Sequence, residues 1–440
     1  MPTLRPFRAL RFDAAVSDLS AVLAPPYDII GPELRHRLLE QDPHNVVRIE
    51  LPADLGSATD DDYRSAAQTL EAWRTEGVLV RDAEPTVTVH RMSWADTDGQ
   101  RRTATGVLAA LRLEAFGPGA GVLPHERTMG GPKQDRLRLL EETRANTSPV
   151  VFLAGGDAIA TGAALTRLTD RPPDAHASTA DGVDHQLWIC TASAATELLG
   201  LLSAAPLTIA DGHHRYETAL AFRDARHEAA GVAVATEGPH TDDPAWDYLL
   251  ALVYPLDQSP PVLPTHRVIR GRPCGDDLLA RLDDYARIER LDGAEDLLAR
   301  MAEPPALVAG ASGSGRIGLL TRDKAALLMV KRSVTDVLLP AGLCEASRGL
   351  DVNALSVIID RAYGDEPGTM AGDGRLWYVK DAREATQQVV DEAASAAFLL
   401  DGMPPEAIAQ VAGAGEVMPH KSTYFNPKAP TGLVVSPLEW

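Results

Sequence analysis

The segment 207–225 constrains the fold of this chain more than any other stretch. Residues 207–210 form a continuous apolar run typical of a buried strand, and Asp211-Gly212 is a turn signal. Residues 214–225 then carry apolar side chains at helical spacing. The segment therefore predicts a strand, a tight turn and a helix, and it favours an α/β fold.

Two histidines and an arginine occupy the predicted turn. His213, His214 and Arg215 follow Gly212 directly. The first turn of a helix has unpaired backbone N–H groups and the positive end of the helix dipole, which favour a phosphate. Glycine lets the backbone approach a ligand closely, and an arginine can hold a phosphate through two hydrogen bonds. The alternative is that Asp211 caps an ordinary helix, but capping does not explain the whole cluster.

Length and composition predict a globular protein of two or three packed subdomains. The chain has 440 residues, of which 45% are hydrophobic and 24% charged. No apolar run approaches the ~18 residues of a membrane helix, and the N-terminus lacks the apolar core of a signal peptide. Cys190, Cys274 and Cys344 lie far apart, which predicts buried thiols without a disulfide. We therefore expect a cytoplasmic protein.

The net charge of −20 argues against a nucleic-acid surface, which needs a basic stripe. It does not exclude a small anionic ligand. The acidic residues are spread along the chain, whereas the motifs contain His, Arg and Lys. A solvated acidic shell around a local basic pocket reconciles the two observations.

Periodicity predicts alternating strands and helices along the chain. Residues 45–51 predict a strand in which Arg48 either faces a pocket or pairs with backbone carbonyls, and residues 246–254 predict a buried strand. Residues 61–77 predict an amphipathic helix. We expect three subdomains: an N-terminal α/β part (1–115), a core with the histidine-bearing loops (116–270) and a C-terminal α/β part (271–440).

Polar loops distant in sequence carry further candidate residues. Residues 117–131 are rich in glycine and contain His125 and Glu126, and a loop of this kind is usually functional. Asp28 follows a double proline, and residues 415–428 combine basic, hydroxyl and aromatic side chains. No His or Cys spacing matches a zinc site, so a divalent cation held by carboxylates and phosphate is the more plausible metal.

If these loops converge, they supply the parts needed for phosphoryl transfer. The candidate catalytic residues are Glu126 and Asp28 as base, His213 and His214 as acid/base groups or as a phosphate-bearing nucleophile, and His125 beside Glu126. The candidate metal ligands, for Mg²⁺, are Asp211 and Glu217. The candidate nucleotide-binding residues are Asp211, Gly212, His214, Arg215, Lys133, Arg136, Thr265, His266, Arg267, Lys421, Ser422, Thr423 and Lys428. For Thr265 to Arg267, a set of strand-end residues bonded to backbone carbonyls is an equal alternative.

The chain resembles the domain-of-unknown-function family 1015 along nearly its whole length. The matching segments are Ala24 to Asp28, Pro124 to Thr128, Pro132 to Leu137, Asp211 to Ala219, Pro264 to Arg267 and Gly415 to Phe425. Residues 211–219 also resemble the phosphate-binding segment of the ParB/sulfiredoxin superfamily, which includes free-serine kinases. This resemblance implies a ParB/sulfiredoxin-like core with additional mixed-sheet subdomains, and it implies ATP or ADP as ligand.

Together, the residues and the resemblance predict a phosphotransferase that acts on a small metabolite with a nucleotide. The resemblance favours serine or phosphoserine as the substrate. The alternatives are a nucleotide-binding switch of the ParB type and a phosphoester hydrolase. We expect a small-molecule partner and a possible homodimer, without a membrane or nucleic-acid partner.

Overall fold

The computed structural model describes residues 1–96, 99–126, 131–232, 234, 243–271, 275, 277–305 and 312–439, with the backbone alone at residues 131 and 132. Its contacts group the chain into two compact units. The first unit is Met1–Pro260 together with Pro427–Trp440, and the second unit is Pro261–Asn426. The structure is a mixed α/β fold, as the sequence predicts.

The first unit is built on a mixed sheet. The strands of this unit are β1 (Leu4–Arg5), β2 (Leu10–Phe12), β3 (Leu79–Arg81), β4 (Thr86–Ala95), β5 (Arg101–Arg112), β6 (Val122–Leu123), β7 (Ala145–Asn146), β8 (Val150–Ala154), β9 (Ala175–Ser178), β10 (Asp184–Thr191), β11 (Leu207–Asp211), β12 (Tyr248–Pro255) and β21 (Ser436–Pro437). Nine of them form the main sheet, in the order β6, β11, β8, β12, β5, β4, β10 and β9, with β1 also paired to β5.

Strands that lie far apart in the sequence pair with one another and form a single continuous sheet. Strand β12 pairs antiparallel with β5, where Leu250 lies opposite Ala110. It pairs parallel with β8, where Leu252 lies opposite Val151. All eight residues of β12 are buried, so the predicted buried strand is confirmed. These pairings cross residue 115, and the three predicted subdomains stay a prediction.

Helices cover the sheet of the first unit and complete its core. The helices are α1 (Leu19–Val22), α2 (Pro32–Gln41), α3 (Val47–Glu50), α4 (Asp60–Thr75), α5 (Gly131–Thr143), α6 (Ala158–Thr169), α7 (Ala192–Leu202) and α8 (His213–Ala230), with 3-10 turns at Tyr27–Ile29, Ala245–Asp247 and Leu256–Gln258. One buried cluster joins Val107, Phe152 and Val253 of the strands to Leu198 of α7 and Tyr216 of α8. This apolar packing holds the start of α8 against the sheet.

Helix α4 confirms the predicted amphipathic helix. Thr59 and Asp62 form a capping box at its N-terminus, and Tyr63, Leu70 and Trp73 lie on its buried face. The predicted strand at residues 45–51 is wrong, because this stretch contains α3.

Residues 46, 47 and 49 are all fully buried and apolar. The stretch therefore lacks the regular change between polar and apolar residues that distinguishes a helix from a strand. The side-chain oxygen of Asn45 accepts a hydrogen bond from the N–H of Val47 at 3.0 Å and so favours a turn at this point. A buried helical turn therefore has the apolar pattern of a strand here.

The second unit has its own sheet, which contains six strands among the described residues. The strands of this unit are β13 (Val262–Leu263), β14 (His266–Ile269), β15 (Ala286–Leu291), β16 (Arg316–Thr321), β17 (Ala325–Val330), β18 (Leu376–Val379), β19 (Ala396–Leu400) and β20 (Tyr424–Phe425), of which β13 and β20 pair with each other outside the sheet. Its helices are α9 (Leu278–Leu282), α10 (Ala294–Ala302), α11 (Arg332–Leu338), α12 (Glu345–Gly349), α13 (Asp351–Tyr363), α14 (Pro367–Gly372), α15 (Ala382–Val390) and α16 (Pro405–Gly413). The sheet order is β15, β17, β16, β19, β14 and β18.

The described part of the chain contains no helix whose length and apolar character would let it cross a bilayer. Cys190 is buried and Cys344 is partly buried, and both are free thiols, as the sequence predicts. Cys274 lies outside the described residues.

Candidate functional site

The predicted strand–turn–helix segment is present and ends in a left-handed turn. Strand β11 ends at Asp211, Gly212 has φ of 94°, and α8 begins at His213. The pairing of β11 with β8 shifts register between Ile209 and Asp211, and a bulge of this kind changes the direction of the side chain that follows. Glycine adopts a positive φ without the strain that a Cβ would introduce.

The first turn of α8 has no side-chain cap. The interpretation of Asp211 as an ordinary N-cap is therefore wrong, because Gly212 occupies the cap position. The first backbone N–H groups of a helix have no partner within the helix itself. This end of α8 combines such N–H groups with the positive end of the helix dipole.

Asp211 instead belongs to a cluster of charged side chains. Nζ of Lys428 lies 2.7 Å from Oδ2 of Asp28 and 3.1 Å from Oδ1 of Asp211. Nη2 of Arg215 donates to Oδ2 of Asp211 at 2.9 Å. The Lys428 side chain is only 10% exposed, so this is a largely desolvated ammonium group between two carboxylates. We call Asp28, Asp211, Arg215 and Lys428 the charge cluster.

A short bridge between distant segments explains how the cluster forms. Ala24 and Thr431 exchange two backbone hydrogen bonds, at 2.8 and 3.3 Å. Asp28 lies four residues after this bridge in a 3-10 turn, and Lys428 lies three residues before it. The bridge therefore brings a side chain near the start of the chain to one near its end.

The charges within the cluster determine its protonation. Burial disfavours the ionised carboxylate of Asp211, but the ammonium group of Lys428 and the guanidinium of Arg215 outweigh burial and lower its pKa. Burial likewise disfavours the charged form of Lys428, yet the carboxylates of Asp211 and Asp28 raise its pKa. Asp211 and Lys428 are therefore both charged near neutral pH, and the two cations of the cluster balance its two carboxylates.

The Arg215 guanidinium lies over the glycine turn. Its Nη1 donates to the carbonyl oxygen of Pro149 at 2.6 Å. A Cβ placed on Gly212 would lie 2.9 Å from Nε of Arg215, so only glycine leaves room for this packing. That Nε is buried and has no hydrogen-bond partner among the described residues. The predicted phosphate-binding arginine is thus at the turn, where Asp211 already pairs with it.

Two of the predicted histidines form a buried contact behind the turn. The backbone N–H of His125 donates to Nε2 of His213 at 3.3 Å, and Nδ1 of His125 lies 2.5 Å from the carbonyl oxygen of Ile209. Their ring centroids are 4.7 Å apart in an edge-on arrangement. Burial lowers the pKa of both histidines, and the neighbouring His125 imidazole lowers the pKa of His213 further. The contact joins residues 124–126 to the turn.

The other predicted residues near this turn are less buried. Glu126 and His214 are partly exposed, and both have interactions with neighbouring groups. Arg127 and Thr128 of the resemblance segment lie outside the described residues. Lys133 of α5 forms an ion pair with Glu217 of α8, so this candidate metal ligand is already paired with a cation.

Arg136 belongs to a different, fully buried polar group. Its Nη1 donates to the backbone carbonyl of Glu50 at 2.8 Å and lies 3.4 Å from the Glu50 carboxylate. Thr147 and Ser148 also donate to that carboxylate, in the second case at 2.9 Å. A cavity of about 40 Å³ lies among these residues and is also lined by Arg215.

Sequence reasoning missed Glu50. It is a single acidic residue in the apolar stretch 46–51 and is only 1% exposed. In that stretch the sequence pattern points to Arg48 instead. Nη2 of Arg48 donates to the carbonyl oxygen of Leu39 at 2.7 Å. For Arg48, the alternative of a backbone-bonded residue is the correct one. A buried carboxylate needs partners, and this one finds them in α5 and residues 147–148.

Six predicted residues belong to the second unit. Nδ1 of His266 accepts a hydrogen bond from the N–H of Leu400 at 3.2 Å, and burial lowers its pKa to about 4. Ser422 donates its hydroxyl to the carbonyl oxygen of Pro419. The other four are Thr265, Arg267, Lys421 and Thr423. The structure brings Asp28, His125 and Lys428 to the Gly212 turn, whereas convergence of the second-unit residues stays a prediction.

The sequence profile of the family described as "Protein of unknown function (DUF1015)" matches residues 4–353. The chain belongs to this family. The DUF1015 match includes Asp28 and the whole Gly212 turn but ends before Lys428. No curated protein matches the chain. The further resemblance to ParB and sulfiredoxin proteins stays a prediction.

Several solved structures resemble the chain weakly. A free serine kinase in complex with AMP has 14% identity and a TM-score of 0.31, covering 71% of this chain and 89% of that one. SbnI from Staphylococcus aureus, with a C-terminal truncation, has 11% identity and a TM-score of 0.34, covering 75% and 87%. A conserved hypothetical protein from Pyrococcus furiosus has 14% identity and a TM-score of 0.31, covering 71% and 90%. Likeness at this level carries no argument about function.

Proposed function

We propose that this DUF1015 protein binds a nucleotide phosphate at the Gly212 turn and transfers a phosphoryl group to or from a small metabolite. The observation that carries the proposal is the position of Lys428, desolvated between Asp28 and Asp211 beside an uncapped helix N-terminus. Burying an ion pair away from water usually adds little stability, and clusters of this kind are common at functional sites. The choice of a nucleotide, and of a serine-type hydroxyl as acceptor, follows from the resemblance of residues 211–219 to free-serine kinases.

The chain's own groups supply the anion contacts. Backbone N–H groups at the start of α8 point toward the space beyond the turn, and Arg215 and Lys428 provide charge. Because Asp28 and Asp211 already balance these two cations, an added phosphate meets no net positive charge in the cluster. The phosphate must either displace Asp211 from Arg215 or bring a cation with it.

This charge balance supports a role for Mg²⁺ together with the nucleotide. Asp211 is the carboxylate that we propose as the metal ligand. Among the described residues no group of three His, Cys, Asp or Glu side chains could hold a metal by itself. Asp211 would therefore supply one ligand, with phosphate oxygens and water supplying the rest, as is usual for Mg²⁺. Glu217 pairs with Lys133 just as Asp211 pairs with Arg215 and Lys428, so the choice of Asp211 rests on its position at the Gly212 turn.

Asp28 is our first candidate for the general base. Its side chain is 43% exposed, which leaves it accessible to an acceptor hydroxyl, while Lys428 holds the other side of the carboxylate. In the forward direction Asp28 accepts the hydroxyl proton as the acceptor oxygen bonds to phosphorus and the leaving phosphate oxygen departs. Glu126 is the second candidate, because residues 124–126 contact the turn through His213.

Activity and binding assays on Lys428→Met test the proposal. We expect wild-type protein to form phosphoserine from serine and nucleotide with Mg²⁺, followed by mass spectrometry. In Lys428→Met we expect ADP affinity, measured by isothermal titration calorimetry, to fall about 10–100-fold, because one charge-assisted contact is lost. Unfolding by urea should show a loss of about 1–3 kcal/mol, less than for a fully buried pair because Asp28 is partly hydrated.

The control is Lys331→Met, which removes a lysine of the second unit that bonds to the backbone carbonyl of Asp283. It should leave ADP affinity unchanged. If Lys428→Met binds ADP as tightly as the wild type, the charge cluster is not part of the nucleotide site. Slow nucleotide hydrolysis without any acceptor would instead favour the switch, and phosphate release from phosphoserine without nucleotide would favour a hydrolase.

A further inference from the structure

Arg267 of the second unit is a buried arginine that has no carboxylate partner within the described part of the chain. It is 5% exposed, and among the described residues it forms no ion pair. Nη1 donates to the carbonyl oxygen of Thr265, and Nη2 lies 3.4 Å from that of Lys421. Carbonyl oxygens satisfy N–H donors but carry no formal charge, so the positive charge of Arg267 is not neutralised.

Another arginine of the same sheet shows the usual arrangement. Arg316 on β16 is 7% exposed, and Asp401 pairs with it through two hydrogen bonds at 2.6 and 2.9 Å. Burying a charge without a counter-charge costs free energy that pairing offsets. Burial lowers the pKa of Arg267 to about 10. Arg267 therefore lies in an environment that a bound anion would stabilise.

A cavity of about 440 Å³ lies beside Arg267, within the size range of small-molecule sites. Its walls are largely apolar and include Leu339, Val352, Leu355 and Leu376. Tyr378 also lines it, and the Arg267 guanidinium carbon is 5.1 Å from the centroid of that ring. The cavity thus offers one buried cation at an apolar, partly aromatic wall.

We propose that this cavity binds a small carboxylic acid with an apolar body, whose carboxylate pairs with Arg267. The planar guanidinium matches a carboxylate in shape, through two parallel hydrogen bonds. One buried cation balances a single negative charge rather than the charge of about −2 on a phosphate monoester near neutral pH. Asp360 and Glu366 also line the cavity and disfavour a dianion further.

This proposal does not rest on the nucleotide site proposed above. The alternative is that Arg267 only joins the carbonyl groups of Thr265 and Lys421 and has no ligand. Both roles place the guanidinium at the same position, but only a binding site makes affinity depend on the charge of the ligand. A series of probes with one shape and different head groups separates them.

The experiment is isothermal titration calorimetry on the full chain with 4-methylpentanoate, 4-methylpentanamide and isopentyl phosphate. We expect the acid to bind and the neutral amide to bind about 10–100-fold more weakly, since a hydrogen bond to a charged group is lost. Arg267→Met should reduce acid affinity to that of the amide. The matched control is Arg361→Met, because Arg361 lines the same cavity but is 44% exposed and has Asp360 3.9 Å away.

Arg361→Met should change acid affinity by less than about threefold, as expected for an exposed charge. If Arg267→Met does not fold, the test uses Ser356→Phe instead. Ser356 lines the cavity, so the larger side chain fills the space while Arg267 stays in place. This variant should lose acid binding. The proposal is overturned if the acid does not bind, if the amide or the phosphate binds as tightly as the acid, or if the variant used retains acid binding.

Discussion

Replacing Asp211 by asparagine tests the charge balance at the Gly212 turn directly. The asparagine keeps the size of the side chain and removes one negative charge, so the charge cluster changes from neutral to a net charge of +1. We expect metal-free ADP to bind Asp211→Asn more tightly than the wild type. We also expect Mg²⁺ to lose its enhancing effect on ADP binding, because the carboxylate that would contact it is gone.

The size of the gain follows from the exposure of Asp211. Its side chain is 28% exposed, so a phosphate bound at the turn would interact with it through a medium between protein surface and water. At a separation of about 5 Å, two unit charges there interact by roughly 1–3 kcal/mol. Part of this is offset because asparagine binds Arg215 and Lys428 less well. A net gain of roughly 1–2 kcal/mol corresponds to an affinity about 5–30-fold higher.

The assay is calorimetric titration with ADP, once with a chelator and once with excess Mg²⁺. The control is Asp224→Asn, since Asp224 lies on the same helix and pairs with Arg223 at 2.7 Å but is 58% exposed. Its affinity for ADP should stay within about twofold of the wild type, as for other exposed pairs. If Asp211→Asn weakens metal-free ADP binding, or if Mg²⁺ enhances binding as before, Asp211 is not the carboxylate that couples the metal to the phosphate.

Three further changes address the turn, the base and the buried histidine. Gly212→Ala adds a Cβ to a residue with left-handed backbone geometry and places it against the guanidinium of Arg215. We therefore expect the free energy of unfolding, measured in urea, to fall by about 1–3 kcal/mol. A fall of less than about 0.5 kcal/mol, the usual size for a surface substitution, would contradict the described packing. Asp28→Asn should reduce phosphoserine formation about 10²-fold or more without weakening ADP binding, whereas Glu126→Gln should leave phosphoserine formation nearly unchanged; the reverse pattern would assign the base to Glu126. The lowered pKa of His213 means that the unfolded chain binds a proton the folded chain does not, so stability is lost as pH falls below the unfolded value near 6.5. His213→Gln should lessen that loss by up to about 1.4 kcal/mol per pH unit in urea unfolding between about pH 6.5 and 5, and an unaltered slope would mean that His213 is protonated in the folded protein.

Local patterns predicted the elements whose periodicity is unambiguous. The turn at Gly212 followed from a buried run, a turn dipeptide and a helical pattern in succession, and it is present with the glycine in the left-handed region. Strand β12 followed from a continuous apolar stretch, and it lies inside the sheet with both faces covered. The sequence predicts a strand where helix α3 lies, because a short buried segment has no exposed polar side whose spacing would indicate a helix.

The partners of the turn could not be derived in the same way. The composition of their loops predicts a function for Asp28 and for Lys428, but their contact depends on the backbone bridge between Ala24 and Thr431. Such a pairing spans almost the whole chain and leaves no periodic signal. Glu50 was missed for a related reason, because the hydroxyl groups that satisfy it come from residues almost a hundred positions later.

The neutral charge cluster would also make the site selective among phosphate ligands. Inorganic phosphate alone would bring negative charge to a site where Asp211 and Asp28 already occupy both cations, and it would have to separate an ion pair in order to bind. If Mg²⁺ bound together with the phosphate, Asp211 would hold the metal, and Arg215 and Lys428 would be able to face the phosphate oxygens. The same four side chains would therefore discriminate against free phosphate without any steric barrier. Since the discrimination comes from pairing within the cluster, Asp211 is the residue whose charge sets it.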